Sequence, residues 1–127
     1  MDVELLEDEE EYYRIYNAIF STGANFVPDV VHVVRGDNRC TVGFMAGFWL
    51  GSNHFYIQFS GVLPEYQKNG YTRYFGALLN DGVTYDCIIK NTNVAALVVA
   101  LKNDFIPIGI TQKENKEIYI MIQRGSK

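Results

Sequence analysis

Cysteine is almost missing from this sequence, with Cys40 and Cys87 the only two. A chain long enough to build a hydrophobic core has no need of so sparse a disulfide scaffold, so both thiols are expected reduced, in a cytoplasmic setting. Histidine is equally scarce, at His32 and His54 alone. No C-x-x-C or H-x-x-x-H spacing occurs, and no metal site is expected. Long apolar runs are lacking as well: no stretch approaches the roughly 20 residues that cross a bilayer. The N-terminus is acidic where a secretory leader would be basic. Basic charge is in short supply, since 11 Lys and Arg stand against 15 Asp and Glu for a formal net charge of −4. With no Lys/Arg cluster to follow a phosphate backbone, neither nucleic acid nor membrane is an expected partner.

What the chain does have is apolar substance. Hydrophobic residues make up 48% and aromatics 14% of 127 residues, enough burial to offset the entropy of ordering one domain spanning residues 1–127. The acidic residues gather at the front, in Glu4, Glu7, Asp8, Glu9, Glu10 and Glu11. Such a run reads as the solvated first turns of a helix, where negative charge suits the helix dipole.

Periodicity divides the rest. Apolar residues from Val3 to Phe20 recur at helical spacing and stop at Ser21-Thr22-Gly23. Val30–Val34 reads as a strand, Gly36-Asp37-Asn38 as a turn, and Cys40–Trp49 as the returning strand. Gly51-Ser52-Asn53 turns the chain into a further strand, His54–Val62, where Gly61 signals a bulge or the close approach of something to the backbone. A helix is expected from about Thr72 to Leu79, then a strand Val83–Ile89, and a helix Val94–Lys102 capped by Asn91-Thr92-Asn93. Two strands, Ile106–Thr111 and Ile118–Gln123, close the chain around the turn Lys113–Lys116. The order α-β-β-β-α-β-α-β-β predicts an α/β (α+β) fold: a mixed, mostly antiparallel central sheet with helices on both faces.

One segment has chemical promise. Val62-Leu63-Pro64-Glu65-Tyr66-Gln67-Lys68-Asn69-Gly70-Tyr71-Thr72 leaves a strand and enters a helix, and at such a junction the first helical N–H groups and the dipole favour an anion. Gly70 would let a ligand come close to the backbone. Val62, Pro64, Tyr66, Gln67 and Gly70 resemble motif A of the GNAT N-acetyltransferase superfamily, V-x-P-x-[YF]-[QR]-x-x-G-x-[GA]. Asn93, Ala96, Val99, Lys102 and Phe105 are similar to its later N-x-x-A-x-x-[LV]-Y-x-K-x-G-F segment. Small, shortened members of that superfamily occur among viral and mobile-element products. The superfamily's usual first strand is hard to find here.

The resemblance implies a GNAT fold, acetyl-CoA as co-substrate, and acetyl transfer to a primary amine of a small molecule or protein. It leaves room for a protein partner and for a homodimer. It further implies that Ser60, Gly61 and Val62 meet the pantetheine arm, that Gln67, Lys68, Asn69, Gly70, Tyr71, Thr72 and Arg73 surround the diphosphate, and that Asn93 faces the cofactor.

Departures from the pattern bear on activity. Thr72 replaces the second small residue and could crowd a phosphate or bond to it. Ala100 stands where many relatives carry a proton-donating tyrosine, Ile88 where some carry a glutamate base, and Asp104 where glycine precedes Phe105. No catalytic residue is assigned. Tyr85, Asp86, Tyr119 and His54 are candidate replacements, although strand packing or an exposed edge is the plainer reading of each. Cys87 reads as a small buried hydrophobe. With acid and base both vacant, a catalytically decayed scaffold that binds another protein is the alternative function.

Overall fold

The structure, a computed structural model, describes residues 2–127. Its elements are β1 (Asp2–Leu5), α1 (Glu9–Phe20), β2 (Val30–Arg35), β3 (Thr41–Gly51), β4 (His54–Val62), α2 (Pro64–Leu78), β5 (Thr84–Lys90), α3 (Val94–Lys102), β6 (Ile106–Gln112) and β7 (Ile118–Arg124). The seven strands form a mixed sheet in the order β1-β2-β3-β4-β5-β7-β6. β4 and β5 run parallel, while β1 with β2, β2 with β3, β5 with β7 and β6 with β7 are antiparallel. Two compact units divide the chain: the residues up to Phe48 with Ile57–Asn80, and Trp49–Tyr56 with Asp81–Lys127. No described helix is long and apolar enough to cross a membrane.

In the first unit the front of the chain departs from the helix expected over Val3–Phe20. Asp2–Leu5 is a strand instead, with Val3 opposite Val34 and Leu5 opposite His32. The reason is local. Asp8 accepts from the amides of Glu10 at 3.0 Å and Glu11 at 3.4 Å, and this cap fixes the helix start at Glu9. The acidic residues do more than meet solvent. Glu4 accepts from Arg35 Nε at 3.0 Å and from Arg39, and Glu11 accepts from Arg35 Nη1 and from Thr41, each at 2.6 Å. The ion pairs tie β1 and α1 to the ends of β2 and β3.

Alternation along β2 and β3 sets the core. Val31, Val33, Phe44 and Ala46 share one face and bury Tyr12 and Ile15 of α1. The Tyr12 and Phe44 rings meet at right angles with centroids 5.6 Å apart, and each such side chain contributes about 1.5–3 kcal/mol by leaving water. Val34 and Met45, pointing the other way, are also buried, and α2 runs close to β2.

The second unit is built on the β5-α3-β6 crossover, with β7 inserted between the two strands. α3 ends in a left-handed residue, Asp104, at φ 69°. Phe105 N donates to Ala100 O at 3.1 Å and Asp104 N to Leu101 O at 3.2 Å. This paired closure favours glycine at the left-handed position, which gives a conformational reason for the glycine of the superfamily pattern. Phe105 is buried, as are Phe55, Tyr85, Cys87, Ala100 and Ile122.

Candidate functional site

The junction of β4 and α2 lies within the first unit, and it differs from expectation in one respect that matters. α2 begins at Pro64 rather than near Thr72. Lys68, Asn69, Gly70, Tyr71, Thr72 and Arg73 are therefore interior helical residues, whose amides point to carbonyls four residues back. The first-turn amides belong to Glu65, Tyr66 and Gln67, and Tyr66 N already donates to Leu63 O at 2.9 Å. Pro64 followed by an acidic residue is itself a helix-start signal, overshadowed in the sequence by Gly70.

Side chains fill the same corner. Gln67 Nε2 donates to Val62 O at 2.8 Å, which occupies the last carbonyl of β4. Tyr74 lies over Gly70: a Cβ added there would sit 2.5 Å from the ring. Tyr74 also meets Tyr66 edge-on at 5.7 Å and carries the Arg73 guanidinium 4.9 Å from its centroid. Lys68 and Asn69 are exposed. In this conformation the segment is a packed helix and offers no open nest of amides.

Gly61 has a packing role. A Cβ on it would fall 2.6 Å from Ile19 Cγ2 of α1, so the close approach signalled by the glycine is that of a helix. Ser60 is half-buried and Val62 fully so. Also in this unit is a hollow of about 400 Å³, lined by Arg14, Arg35, Arg39, Glu11, Cys40 and Thr41 among others. Two of its three guanidiniums are already neutralised by carboxylates.

The second unit holds the remaining candidates. Asn93 caps α3, its Oδ1 accepting from Ala96 N at 3.2 Å. Ala100 is buried, and Ile88 lies opposite Met121. Burial, with a smaller contribution from Asp86, pushes the Cys87 thiol up to about 12, which leaves it an inert thiol at neutral pH. Tyr85 is a core residue. Tyr119 donates to Glu117 at 3.0 Å, and that bond holds its phenol above the ordinary value.

His54 and Asp86, separate candidates in the sequence, come together. His54 Nε2 lies 2.7 Å from Asp86 Oδ2, because parallel pairing sets His54 opposite Thr84 and Asp86 two residues further along the same face. Gln123, which sequence patterning gave no reason to choose, donates to the other oxygen of Asp86 at 2.8 Å. The result is a half-exposed imidazole oriented by a carboxylate that is itself held, an arrangement suited to accepting a proton.

Neither a family model nor a curated protein matches the sequence. Solved structures do match the fold. The ribosomal-protein-S18-alanine N-acetyltransferase of Escherichia coli superposes with a TM-score of 0.77 at 13% identity, over 99% of this chain and 94% of that one. A spermidine N-acetyltransferase from Vibrio cholerae gives 0.78 at 11%, over 99% and 95%. The NatB acetyltransferase complex bound to CoA gives 0.70 at 14%, over 98% of each chain. The chain thus has the fold of the GNAT N-acetyltransferases.

Proposed function

We propose that this chain is an N-acetyltransferase that moves an acetyl group from acetyl-CoA to a primary amine of a small molecule or protein. The amine nitrogen attacks the thioester carbonyl and the CoA thiolate leaves. The supporting observation is the near end-to-end likeness to N-acetyltransferases, in a chain whose motif A-like residues sit at the β4–α2 junction.

In this reading the amides from Gln67 to Arg73 hold the diphosphate after the first two turns of α2 unwind. Several features lower the cost of that opening. Leu63 stands at the N-cap with no side-chain bond, which forgoes about 1 kcal/mol relative to a capping residue. Gly70 in the helix interior costs about another 1 kcal/mol relative to alanine, and Thr72 is β-branched. Ser60, Gly61 and Val62 lie along the pantetheine arm, with Asn93 toward the cofactor. In this reading His54, oriented by Asp86, takes up the proton of the incoming ammonium.

The test is acetyl transfer by purified protein, followed as release of the CoA thiol across polyamines and peptides with a free N-terminal amine. Release above the hydrolysis background with one amine class is the expected result. Its absence with every amine contradicts the reading.

A second reading has observations of its own. Ala100, Ile88 and the closed helix all favour a decayed scaffold that binds another protein. A stoichiometric partner recovered from extract, together with no transfer, would favour it.

A further inference from the structure

Three strands of the second unit meet at one carboxylate. His54 opens β4, Asp86 lies on β5 opposite Tyr56, and Gln123 lies on β7 opposite Asp86. β7 is paired on both sides, with Ile106 of β6 across from Gln123, so two ladders fix the backbone beneath this side chain. Asp86 is used at both oxygens: Oδ1 accepts from Gln123 Nε2 at 2.8 Å and Oδ2 faces His54 Nε2 at 2.7 Å. Among the described residues His54 is its only ionic partner.

The chemistry of these groups places the hydrogens. A carboxylate only accepts, so Gln123 must turn its NH₂ toward Oδ1, and a neutral His54 must carry its hydrogen on Nε2. The imidazole lone pair then sits on Nδ1, which has no partner among the described residues. The His54 side chain is 37% exposed against 25% for Asp86, so the ring is the more accessible of the two. A neutral donor at position 123 also suits the task. It anchors Asp86 without cancelling its charge, which a lysine or arginine would do, and the full carboxylate remains to stabilise an imidazolium.

We propose that Gln123 is a positioning residue: acting through Asp86, it keeps His54 in the Nε2–H form and makes Nδ1 the atom that takes up the acceptor's proton. The catalytic part rests on the acetyl-transfer reading above. With both Asp86 oxygens engaged, the incoming ammonium meets the imidazole lone pair and not the carboxylate. One ammonium N–H bond breaks as the Nδ1–H bond forms, and the freed nitrogen lone pair attacks the thioester carbonyl. When the C–S bond breaks, the Nδ1 proton passes to the CoA thiolate and the second amine proton goes to water.

Ring-nitrogen NMR of the isotope-labelled chain at about pH 8.5, where an ordinary histidine is neutral, reads the tautomer, and His54→Gln identifies the His54 signals. An Nε2–H ring is expected; an Nδ1–H ring overturns the proposal. Asp86→Asn lets the two facing amides adopt either order, so both tautomers should appear. Its kcat should fall about tenfold or more, with the KM for acetyl-CoA unchanged. Adding Gln123→Glu leaves one order only, because the introduced carboxylate accepts from the introduced amide and turns the amide oxygen to His54. The double variant should return to the Nε2–H ring and regain most of the lost kcat, a rescue that a merely structural glutamine does not produce. A double variant that keeps the tautomer mixture of Asp86→Asn overturns the role of position 123. Absence of transfer by the wild-type chain, with the Nε2–H ring present and restored in the double variant, overturns the acetyl-transfer reading and the Nδ1 proton step, while the spectra support positioning by Gln123.

Discussion

Alanine at position 70, introduced after Tyr74 has been trimmed, drives stability and CoA binding in opposite directions. In the wild-type chain a Cβ at Gly70 meets Tyr74 Cε2 at 2.5 Å and Cδ2 at 2.7 Å, so the ring must move. That displacement forfeits its edge contact with Tyr66 and the Arg73 stacking, together about 1–2 kcal/mol. Tyr74→Ala removes the obstacle, and Gly70→Ala in that background adds only helix propensity, about 1 kcal/mol. For a chain of this size the gain raises Tm by about 3–5 °C. If CoA binds only after the first two turns of α2 unwind, the same 1 kcal/mol lowers the apparent affinity about fivefold. Any crowding of the diphosphate by the new methyl lowers it further. Titration calorimetry and melting curves on Tyr74→Ala and Gly70→Ala/Tyr74→Ala provide the comparison. A double variant that melts higher and binds CoA as tightly as its parent refutes the unwinding.

Four other perturbations follow from the geometry. Gly61→Ala drives a methyl into Ile19 and should cost about 1–3 kcal/mol; Ile19→Ala in the same chain should recover part of that, and strict additivity in denaturant melts would show that the two residues do not meet. Tyr12 Oη is buried without a protein partner among the described residues, so Tyr12→Phe should leave stability unchanged or raise it by about 1 kcal/mol; a clear loss would reveal a partner. The Thr41 hydroxyl first, then Arg35 against the opposing effect of burial, holds the Glu11 carboxyl below its ordinary 4.5. Its stabilisation is complete above that value and fades as pH falls through the lowered one. Wild-type Tm should therefore drop more steeply below about pH 4.5 than that of Glu11→Gln, and parallel curves would contradict the assignment. His54→Gln keeps a donor toward Asp86 but cannot take up a proton; acetyl transfer should fall about 10²–10⁴-fold, with the CoA-induced rise in Tm preserved. Near-normal turnover would remove His54 from the mechanism.

Much of the fold was legible because hydrophobic alternation and turn chemistry are local signals. β2 through β4 and β5 through β7 fall within a residue or two of their expected limits, with α3 capped by Asn93. The front of the chain was harder. Leu5, Leu6, Tyr12 and Tyr13 suit a helical repeat as well as a strand followed by a helix, and only the Asp8 cap and the ion pairs from Glu4 to Arg35 and Arg39 separate the two. At the site, sequence gave residue types without conformation. Gly70 in a motif suggests a loop, yet Tyr74 four residues on packs over it and the segment coils. The meeting of His54 with Asp86 and Gln123 depends on which strands pair and in what register, a long-range fact that no local pattern encodes.

The melting temperature of the purified chain with millimolar CoA, and separately with millimolar pantetheine, tests most directly whether a diphosphate site forms at the start of α2. A rise of several degrees with CoA and almost none with pantetheine is predicted. No shift with CoA, or an equal shift with the fragment that lacks phosphate, would contradict it.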